Sequence, residues 1–273
     1  MSHPNADDHS PIDTLPGFRR RLIITPASNC VVSELEDDYH CMGVTVFHVG
    51  GFATAIEPVM ARAPWTTCPG AIAVLQQTFI GVALDKFAAR GEKRANCTHL
   101  HDLAVLAAAH AFDRGPLVYD IFVSDPVDGR RRSELRRNGS AVLSWRMVEG
   151  RFVEPAQLAG IALNNMRSWI DSLERERQEE ARLLRWGTMI SHGRSLPVDW
   201  ESGARYMATS GSCYTFQPQR MNEARHIGAI RDFSDGAAQP LEQRPVALHP
   251  RNSTYAQRDR DYASRTFGGR RPS

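Results

Sequence analysis

Two-residue turns containing glycine constrain the fold of this chain more than any other sequence feature. The stretches between them have the length of β-strands, and Gly, Asn and Asp readily adopt the backbone conformations of tight hairpin turns. The turns are Gly50-Gly51, Asp128-Gly129, Asn138-Gly139 and Glu149-Gly150. The sequence therefore predicts a hairpin over residues 44–59 and an antiparallel meander over residues 117–153.

Two helices are predicted between the hairpin and the meander, and each begins at a cysteine. Cys68 is followed by Pro69, which suits the first position of a helix, and apolar residues at helical spacing continue to Gly81. The second helix is predicted from Thr98 to about Phe112, with Leu and Ala residues forming its buried stripe. The predicted fold class is α+β, an antiparallel sheet (hairpin plus meander) with helices packed on one face.

A further long helix is predicted from Pro155 to Arg185, where apolar residues at helical spacing give way to a charged segment.

Composition divides the chain into four parts. The parts of the chain are a disordered N-terminus, 1–15, an α+β core domain, 16–192, an ordered aromatic-containing extension, 193–235, and a disordered arginine-rich tail, 236–273.

The charged residues exclude several classes of function. Only Lys86 and Lys93 are lysines, neither lies in a glycine-rich frame, and no dinucleotide-binding or phosphate-loop motif is present. The formal net charge of +2 indicates no general affinity for polyanions. The arginine-rich stretch 130–137 lies between two turns without interleaved aromatic residues, so we interpret it as a solvated hairpin. We therefore expect neither a nucleotide cofactor nor a nucleic-acid partner.

The cysteines and the apolar stretches bear on location. Five cysteines in 273 residues are too few, and odd in number, for a disulfide framework. The polar N-terminus lacks the features of a signal peptide, and no stretch approaches the roughly 18 apolar residues that span a bilayer. These features predict free thiols, a cytoplasmic location and no membrane partner. They leave the oligomeric state open.

Cys68 and Cys97 are candidate reactive or metal-binding thiols. Each is expected at the N-terminus of a helix, where the helix dipole and free amide groups favour the thiolate. The alternative is that both are small buried residues of the core, the usual place of a free cysteine. Cys213 is interpreted as a packing residue, and Cys30 and Cys41 have no partner pattern.

His99 and Asp102 are the first candidates for acid–base chemistry. Three residues apart, they are expected on one side of the first turn of their helix, where the carboxylate would fix the imidazole tautomer. His101 lies four residues after Cys97 but on a different side of the helix from His99. The alternative is a helix-stabilising Asp102 beside surface histidines.

A third polar cluster begins at Glu36 and ends at Cys41. Asp38 and His40 would alternate onto the same face at the start of a strand, which makes both candidate ligands and His40 a candidate catalytic residue. The alternative interpretation is a solvated acidic loop over residues 34–38.

These clusters resemble a bacterial protein family catalogued as domain of unknown function 2889. The resemblance covers about residues 18–235 and implies no particular activity. It rests on Arg19-Arg20-Arg21, Glu36 to His40, Trp65 to Ala71, Cys97 to Leu103, Gly211 to Pro218 and Arg231-Asp232-Phe233.

The strand pair followed by two cysteine-led helices is also similar to the NifU-type iron–sulfur scaffold. Cys68 and Cys97 match the second and third cysteines of that family, and its first would fall near residues 38–41. This similarity implies a core of the NifU/SufE type and a site for zinc or a nascent cluster. It does not extend to the meander or the tail.

Two hypotheses follow. The first is a small-molecule enzyme of the lyase, isomerase or hydrolase type, which uses either a divalent metal (zinc or iron) as a Lewis acid or a His/Asp pair as a base. The aromatic residues of 193–235 favour an aromatic or otherwise apolar substrate. The second hypothesis is a metal or iron–sulfur scaffold without turnover. The candidate ligands are Asp38, His40, Cys68, Cys97, His99 and Asp102, and the candidate catalytic residues are His40, His99 and Asp102.

Overall fold

A single antiparallel sheet of eight strands organises the part of the chain that the structure, a computed structural model, describes: residues 10–195, 210–227 and 230–243. The strands are β1 (Gly17–Pro26), β2 (Cys30–Asp37), β3 (Cys41–Val49), β4 (Phe52–Arg62), β5 (Leu117–Ser124), β6 (Arg130–Arg137), β7 (Ser140–Val148) and β8 (Arg151–Glu154). Their order across the sheet is β4-β3-β2-β1-β5-β6-β7-β8. Every neighbouring pair is antiparallel.

The glycine-containing turns set this topology as the sequence predicts. Gly50 and Gly51 both have positive φ angles between β3 and β4, and Asp128, Asn138 and Glu149 adopt the same region before their glycines. Short turns of this kind return the chain alongside the preceding strand. The predicted hairpin, the predicted meander and the α+β fold class are confirmed.

The first half of the sheet contains more strand than we expected. The segment after residue 17 is a central strand, β1, which pairs with β2 on one side and β5 on the other. The interpretation of residues 34–38 as a solvated acidic loop is wrong. Glu34, Glu36, Asp37 and Asp38 are all buried, and residues 34–37 belong to β2. Arginines from other parts of the chain pair with several of these carboxylates. The sequence alone does not show these partners, and an acidic stretch without them resembles a surface loop.

The helices lie on one face of the sheet, as predicted. They are α1 (Ala71–Phe79), α2 (Thr98–Ala109), α3 (Arg167–Asp171), α4 (Arg175–Ile190) and α5 (Pro218–Met221). Contacts join α1 to β4, α2 to β1, β2 and β3, and α4 to β5, β6 and β7. Helix α4 approaches the sheet closely at Gly187, where a Cβ atom would lie 2.6 Å from the side chain of Ile121. No helix in the described ranges is long and apolar enough to cross a membrane.

The predicted long helix from Pro155 to Arg185 is wrong in its first half. Two short 3-10 turns, Ala156–Leu158 and Leu163–Asn165, precede α3 and α4. Gly160 between them has a φ of +80°, and its amide donates a hydrogen bond to the carbonyl of Phe152. This segment therefore bonds back to β8 instead of continuing a helix, and α4 alone retains the predicted charged helical character.

The two predicted disordered ends need different boundaries. Ile12 is buried and lies in a 3-10 turn, so residues 10–15 belong to the fold, while residues 1–9 lie outside the described residues. At the other end, Leu241 is buried and its amide donates to Glu36, so residues 236–243 also belong to the fold. The rest of the tail, 244–273, falls outside the described part of the chain.

Part of the predicted extension packs on the core. Trp65 pairs with His226 in an isolated β-bridge and contacts the ring of Phe216 edge-on. The amide of Arg231 donates to the carbonyl of Asp38. Residues 196–209 and 228–229 of the extension lie outside the ranges that the structure describes.

A polar network joins the end of α2 to α4 and β5. The ring of His110 contacts Asp113 through Nδ1 at 2.8 Å and Glu179 through Nε2 at 2.9 Å. The hydroxyl of Tyr119 donates to the same oxygen of Glu179. Burial alone would lower the pKa of His110, but Glu179 and Asp113 outweigh it, and the pKa is raised above its ordinary value.

We expect His110→Gln to destabilise the protein more in mild acid than in base. A raised folded-state pKa means that the contribution of protonated His110 is fully present below the unfolded-state pKa of about 6.5 and is lost as pH rises through the folded-state pKa. Chemical denaturation of both proteins should show a difference about 1–2 kcal/mol larger near pH 5.5 than near pH 9. A difference independent of pH would contradict this role of the two carboxylates.

Candidate functional site

Three elements bring four polar side chains together beneath the helices. Asp37 ends β2, and His40 follows it in the turn that leads into β3. Arg20 is the residue of β1 directly opposite Asp37, and His99 lies in the first turn of α2. All four side chains are buried, with His40 7% and His99 6% exposed. A central strand, a hairpin turn and a helix start therefore form one site.

The imidazole rings of His40 and His99 stack on each other. Their centroids are 3.8 Å apart and their planes differ by 28°. At this separation a positive charge on one ring disfavours a positive charge on the other. The stacked ring of His40 therefore adds to the effect of burial in lowering the pKa of His99.

Asp37 orients His40. Its Oδ1 accepts hydrogen bonds from the backbone amides of Tyr39 and His40, both at 2.8 Å, and lies 3.0 Å from Nδ1 of His40. Burial alone would raise the pKa of Asp37, but His40 and Arg20 hold that pKa far below its usual range. An ionised carboxylate only accepts hydrogen bonds, so Nδ1 of His40 carries a proton and donates it to Asp37.

Arg20 fixes the other imidazole. Its Nε and Nη2 donate to Oδ2 of Asp37 at 2.9 and 2.5 Å, and Nη2 also lies 3.2 Å from Nε2 of His99. A guanidinium only donates, so Nε2 of His99 is the acceptor. Burial, with further contributions from His40 and Arg20, lowers the pKa of His99 well below its ordinary value. His99 is therefore neutral.

The remaining nitrogen of Arg20 has no partner. Nη1 is buried and makes no hydrogen bond within the described part of the chain. The guanidinium lies 4.4 Å from the ring centroid of Trp186, which also contacts His99 at 4.9 Å. A buried donor without an acceptor costs about 1–3 kcal/mol, and more when it is charged. The site thus keeps an unsatisfied positive donor beside two imidazoles and a half-buried indole ring.

Asp38, predicted to face the same way as His40, lies elsewhere. Strand β2 ends at Asp37, so alternation does not continue through the turn to His40. Asp38 accepts from Nη1 of Arg194 at 2.6 Å, and burial raises its pKa to about 7 in spite of that partner. Its neighbour Asp37 takes the position that we expected for Asp38.

The structure does not bring Asp102 to His99. Asp102 accepts from the ammonium group of Lys93 at 2.6 Å near the surface, while the ring of His99 points towards the sheet. His101 is buried 5.1 Å from the ring of Phe79, and neither of its ring nitrogens has a hydrogen-bond partner in the described residues. Helical spacing would allow a contact between His99 and Asp102, but in the structure Asp102 pairs with Lys93 and His99 contacts Arg20 and His40.

Cys68 and Cys97 do not have the thiolate character that we expected from their helix positions. Both are buried, and burial raises the pKa of both thiols, that of Cys97 to about 12. Sγ of Cys68 lies 3.4 Å from the hydroxyl of Thr215. Desolvation outweighs the helix dipole here. All five cysteines are free, as predicted.

Asp37, His40 and His99 form the one group in the described ranges whose donor atoms are close enough to share a metal ion, within 4.8 Å of one another. Arg20 already donates to Oδ2 of Asp37 and lies against Nε2 of His99, and the other oxygen of Asp37 accepts from the amides of Tyr39 and His40. A metal would have to displace this permanently charged guanidinium. The group as arranged therefore fits proton transfer better than a resident metal.

Neither a comparison with known protein families nor a comparison with curated proteins gives a match for this chain. The function must therefore be argued from the site itself. Arg20, Asp37 and Trp186 are the site residues that sequence analysis missed. The one usable signal was an aspartate three residues before His40, next to the aspartate that we chose.

Proposed function

We propose that this protein is a non-redox small-molecule enzyme in which His40 transfers a proton. The observation that carries the proposal is the Asp37-oriented ring of His40 beside the unpartnered Nη1 of Arg20. A carboxylate on one ring nitrogen and a lone pair on the other is the arrangement of a general base. Proton transfer of this kind supports a lyase, isomerase or hydrolase reaction.

The proposed mechanism uses each polar group once. Nη1 of Arg20 donates a hydrogen bond to a substrate oxygen, which places the adjoining carbon or a water molecule near His40. Nε2 of His40 then takes a proton from that carbon or water, and Asp37 stabilises the imidazolium that forms. His40 returns the proton to the departing oxygen or to the neighbouring carbon. His99 is neutral and stacked on His40, and it positions the ring without taking part in the transfer.

The substrate that these residues suit carries an oxygen anion or carbonyl group next to an apolar or aromatic part. Trp186 offers a half-buried indole face beside Arg20 and His99. Aromatic rings stack favourably on such faces and on guanidinium planes. The five free thiols favour a reducing compartment, and we place the protein in the cytoplasm.

Proton abstraction can be tested before the substrate is known. Wild-type protein is incubated in deuterium oxide with a panel of small aromatic and aliphatic oxo acids, ketones and esters. The products are analysed by mass spectrometry and proton NMR. We expect deuterium incorporation next to a carbonyl, or hydrolysis, for a subset of aromatic members of the panel. A panel of broad coverage without exchange or turnover would contradict the proposal.

A second candidate function is a metal-binding protein, which the 4.8 Å grouping of Asp37, His40 and His99 favours. Our account predicts far less than one metal ion per chain after purification without chelators, measured by mass spectrometry. Near-stoichiometric zinc or iron that is lost in His99→Ala would favour a metal centre. Loss in Cys68→Ser and Cys97→Ser instead would favour the scaffold of the NifU type.

A further inference from the structure

A cavity of about 550 Å³ lies at the opposite end of β6 from its turn with β7. Pairing between β5 and β6 ends at Val123 and Ser133, whereas β6 remains paired with β7 as far as Arg130 and Val148. The first residues of β6 therefore have no paired residue of β5 beside them. Val127 and the hydroxyl of Ser124 bond to their backbone instead, and the cavity lies next to this end of the strand. Its volume lies within the usual range of small-molecule sites. None of its lining residues belongs to the histidine site.

Positive charge dominates the walls of this cavity. Four arginines and two carboxylates line it: Arg130, Arg131, Arg132, Arg146, Asp125 and Glu154. Both carboxylates already have partners, since Asp125 pairs with Arg194 at 2.8 Å and Glu154 with Arg146 at 3.2 Å. Neither carboxylate forms an ion pair with Arg130 or Arg131, so these two arginines add positive charge to the cavity.

Burial makes the positive charge of Arg131 energetically unfavourable. It is 9% exposed, and its guanidinium contacts only neutral groups among the described residues: the hydroxyls of Ser191 and Ser195, and Nδ1 of His192 at 2.8 Å. Arg130 beside it is exposed, and no described carboxylate pairs with it. Asp125 acts on the charge of Arg131 from a distance but is itself paired with Arg194, so a bound anion would further reduce the cost of burying this cation.

The same cavity has an apolar wall. Val127 and Val153 are 47% and 45% exposed, which is high for large apolar side chains. Together with Leu15, Pro16, Met147 and Val148 they line the cavity next to the arginines. We propose that this cavity is a binding site for a small organic anion, a carboxylate with an apolar chain or ring, whose charge lies near Arg130 and Arg131 and whose apolar part covers the two valines.

Calorimetric titration of the full chain with octanoate, octan-1-ol and inorganic phosphate tests both halves of the proposal. We expect saturable binding of octanoate at one site per chain, and binding at least about tenfold weaker for the alcohol and for phosphate. Equal affinity for octan-1-ol would show that the cavity recognises only the apolar chain and not the charge. Equal affinity for phosphate would make it a simple anion site, and no saturable binding of octanoate would remove the site. Each of these results overturns the proposal.

Matched variants locate the binding. Arg130→Gln should weaken octanoate binding about tenfold, and Val153→Gln should weaken it several-fold with little effect on phosphate. Both residues are partly or fully exposed, so both variants should fold. Arg114→Gln, an exposed arginine in the α2–β5 connection, should bind octanoate as the wild type does. Unchanged affinity in Arg130→Gln would place the ligand elsewhere and refute the assignment.

Discussion

Replacing Asp37 by asparagine should lower the free energy of unfolding by about 3–5 kcal/mol, because the change leaves the buried guanidinium of Arg20 without its counter-ion. Asparagine keeps the size of the side chain, but its amide cannot accept from Arg20, His40 and two backbone amides at once. The folded-state pKa of Asp37 is depressed, so its contribution is fully present above the unfolded-state pKa of about 3.9 and is lost as pH falls below it. Denaturation near pH 7 therefore measures the whole effect.

Asp102→Asn is the control for this prediction. Asp102 pairs with Lys93, whose side chain is 46% exposed, so the substitution should change the free energy of unfolding by less than about 1 kcal/mol. Urea denaturation of the three proteins gives the comparison. Equal effects of the two substitutions would show that Asp37 is not the centre of the buried network.

The second large effect concerns activity. With any substrate that the deuterium experiment identifies, His40→Gln should reduce turnover by about 10²–10⁴-fold, the usual contribution of a positioned general base. The stability of this variant should fall less than that of Asp37→Asn, since Arg20 and Asp37 keep their ion pair. Circular dichroism and denaturation on the same preparations separate lost chemistry from lost folding.

His101→Gln is a matched control for the activity prediction. Like His40, His101 is buried, but it lies near the start of α2, where its ring packs near Phe79 and outside the group of Arg20, Asp37, His40 and His99. The substitution should leave the turnover within a few-fold of the wild type. Comparable losses in His40→Gln and His101→Gln would indicate a general disturbance of the packing between α2 and the sheet and would argue against a base at His40.

Local sequence signals predicted the fold where they act over short distances. The glycine-containing turns fixed the hairpin and the meander, because a tight turn depends on a few adjacent residues. Strands β1 and β2 were underestimated because their arginines and acids are buried as pairs across neighbouring strands, such as Arg20 with Asp37. The prediction of a helix directly after Pro155 failed for a related reason. The amide of Gly160 donates a hydrogen bond to Phe152 of β8, so this segment does not form the helix that its local pattern indicates.

The candidate site was predicted in part. His40 and His99 do meet, although 59 residues separate them in the chain, and both were candidates on local grounds. The partner carboxylate was misassigned by one residue because β2 ends at Asp37 and the following turn breaks the alternation. Asp102 and the two thiols were chosen from helix positions alone. Burial determines the pKa values of the thiols, and Lys93 determines the contact that Asp102 makes. Arg20 has no local signal that distinguishes it from its two arginine neighbours.

Long-range nitrogen–proton NMR of the histidine rings tests the central claim most directly, since it reports which ring nitrogen carries the proton. The signals of His40 and His99 are assigned among the ten histidines by their loss in His40→Gln and His99→Gln. Near pH 8 our account predicts a proton on Nδ1 and a bare Nε2 for His40, and a neutral ring with a bare Nε2 for His99. A proton on Nε2 of His40, or nitrogen shifts typical of metal coordination in either ring, would contradict the proposed base.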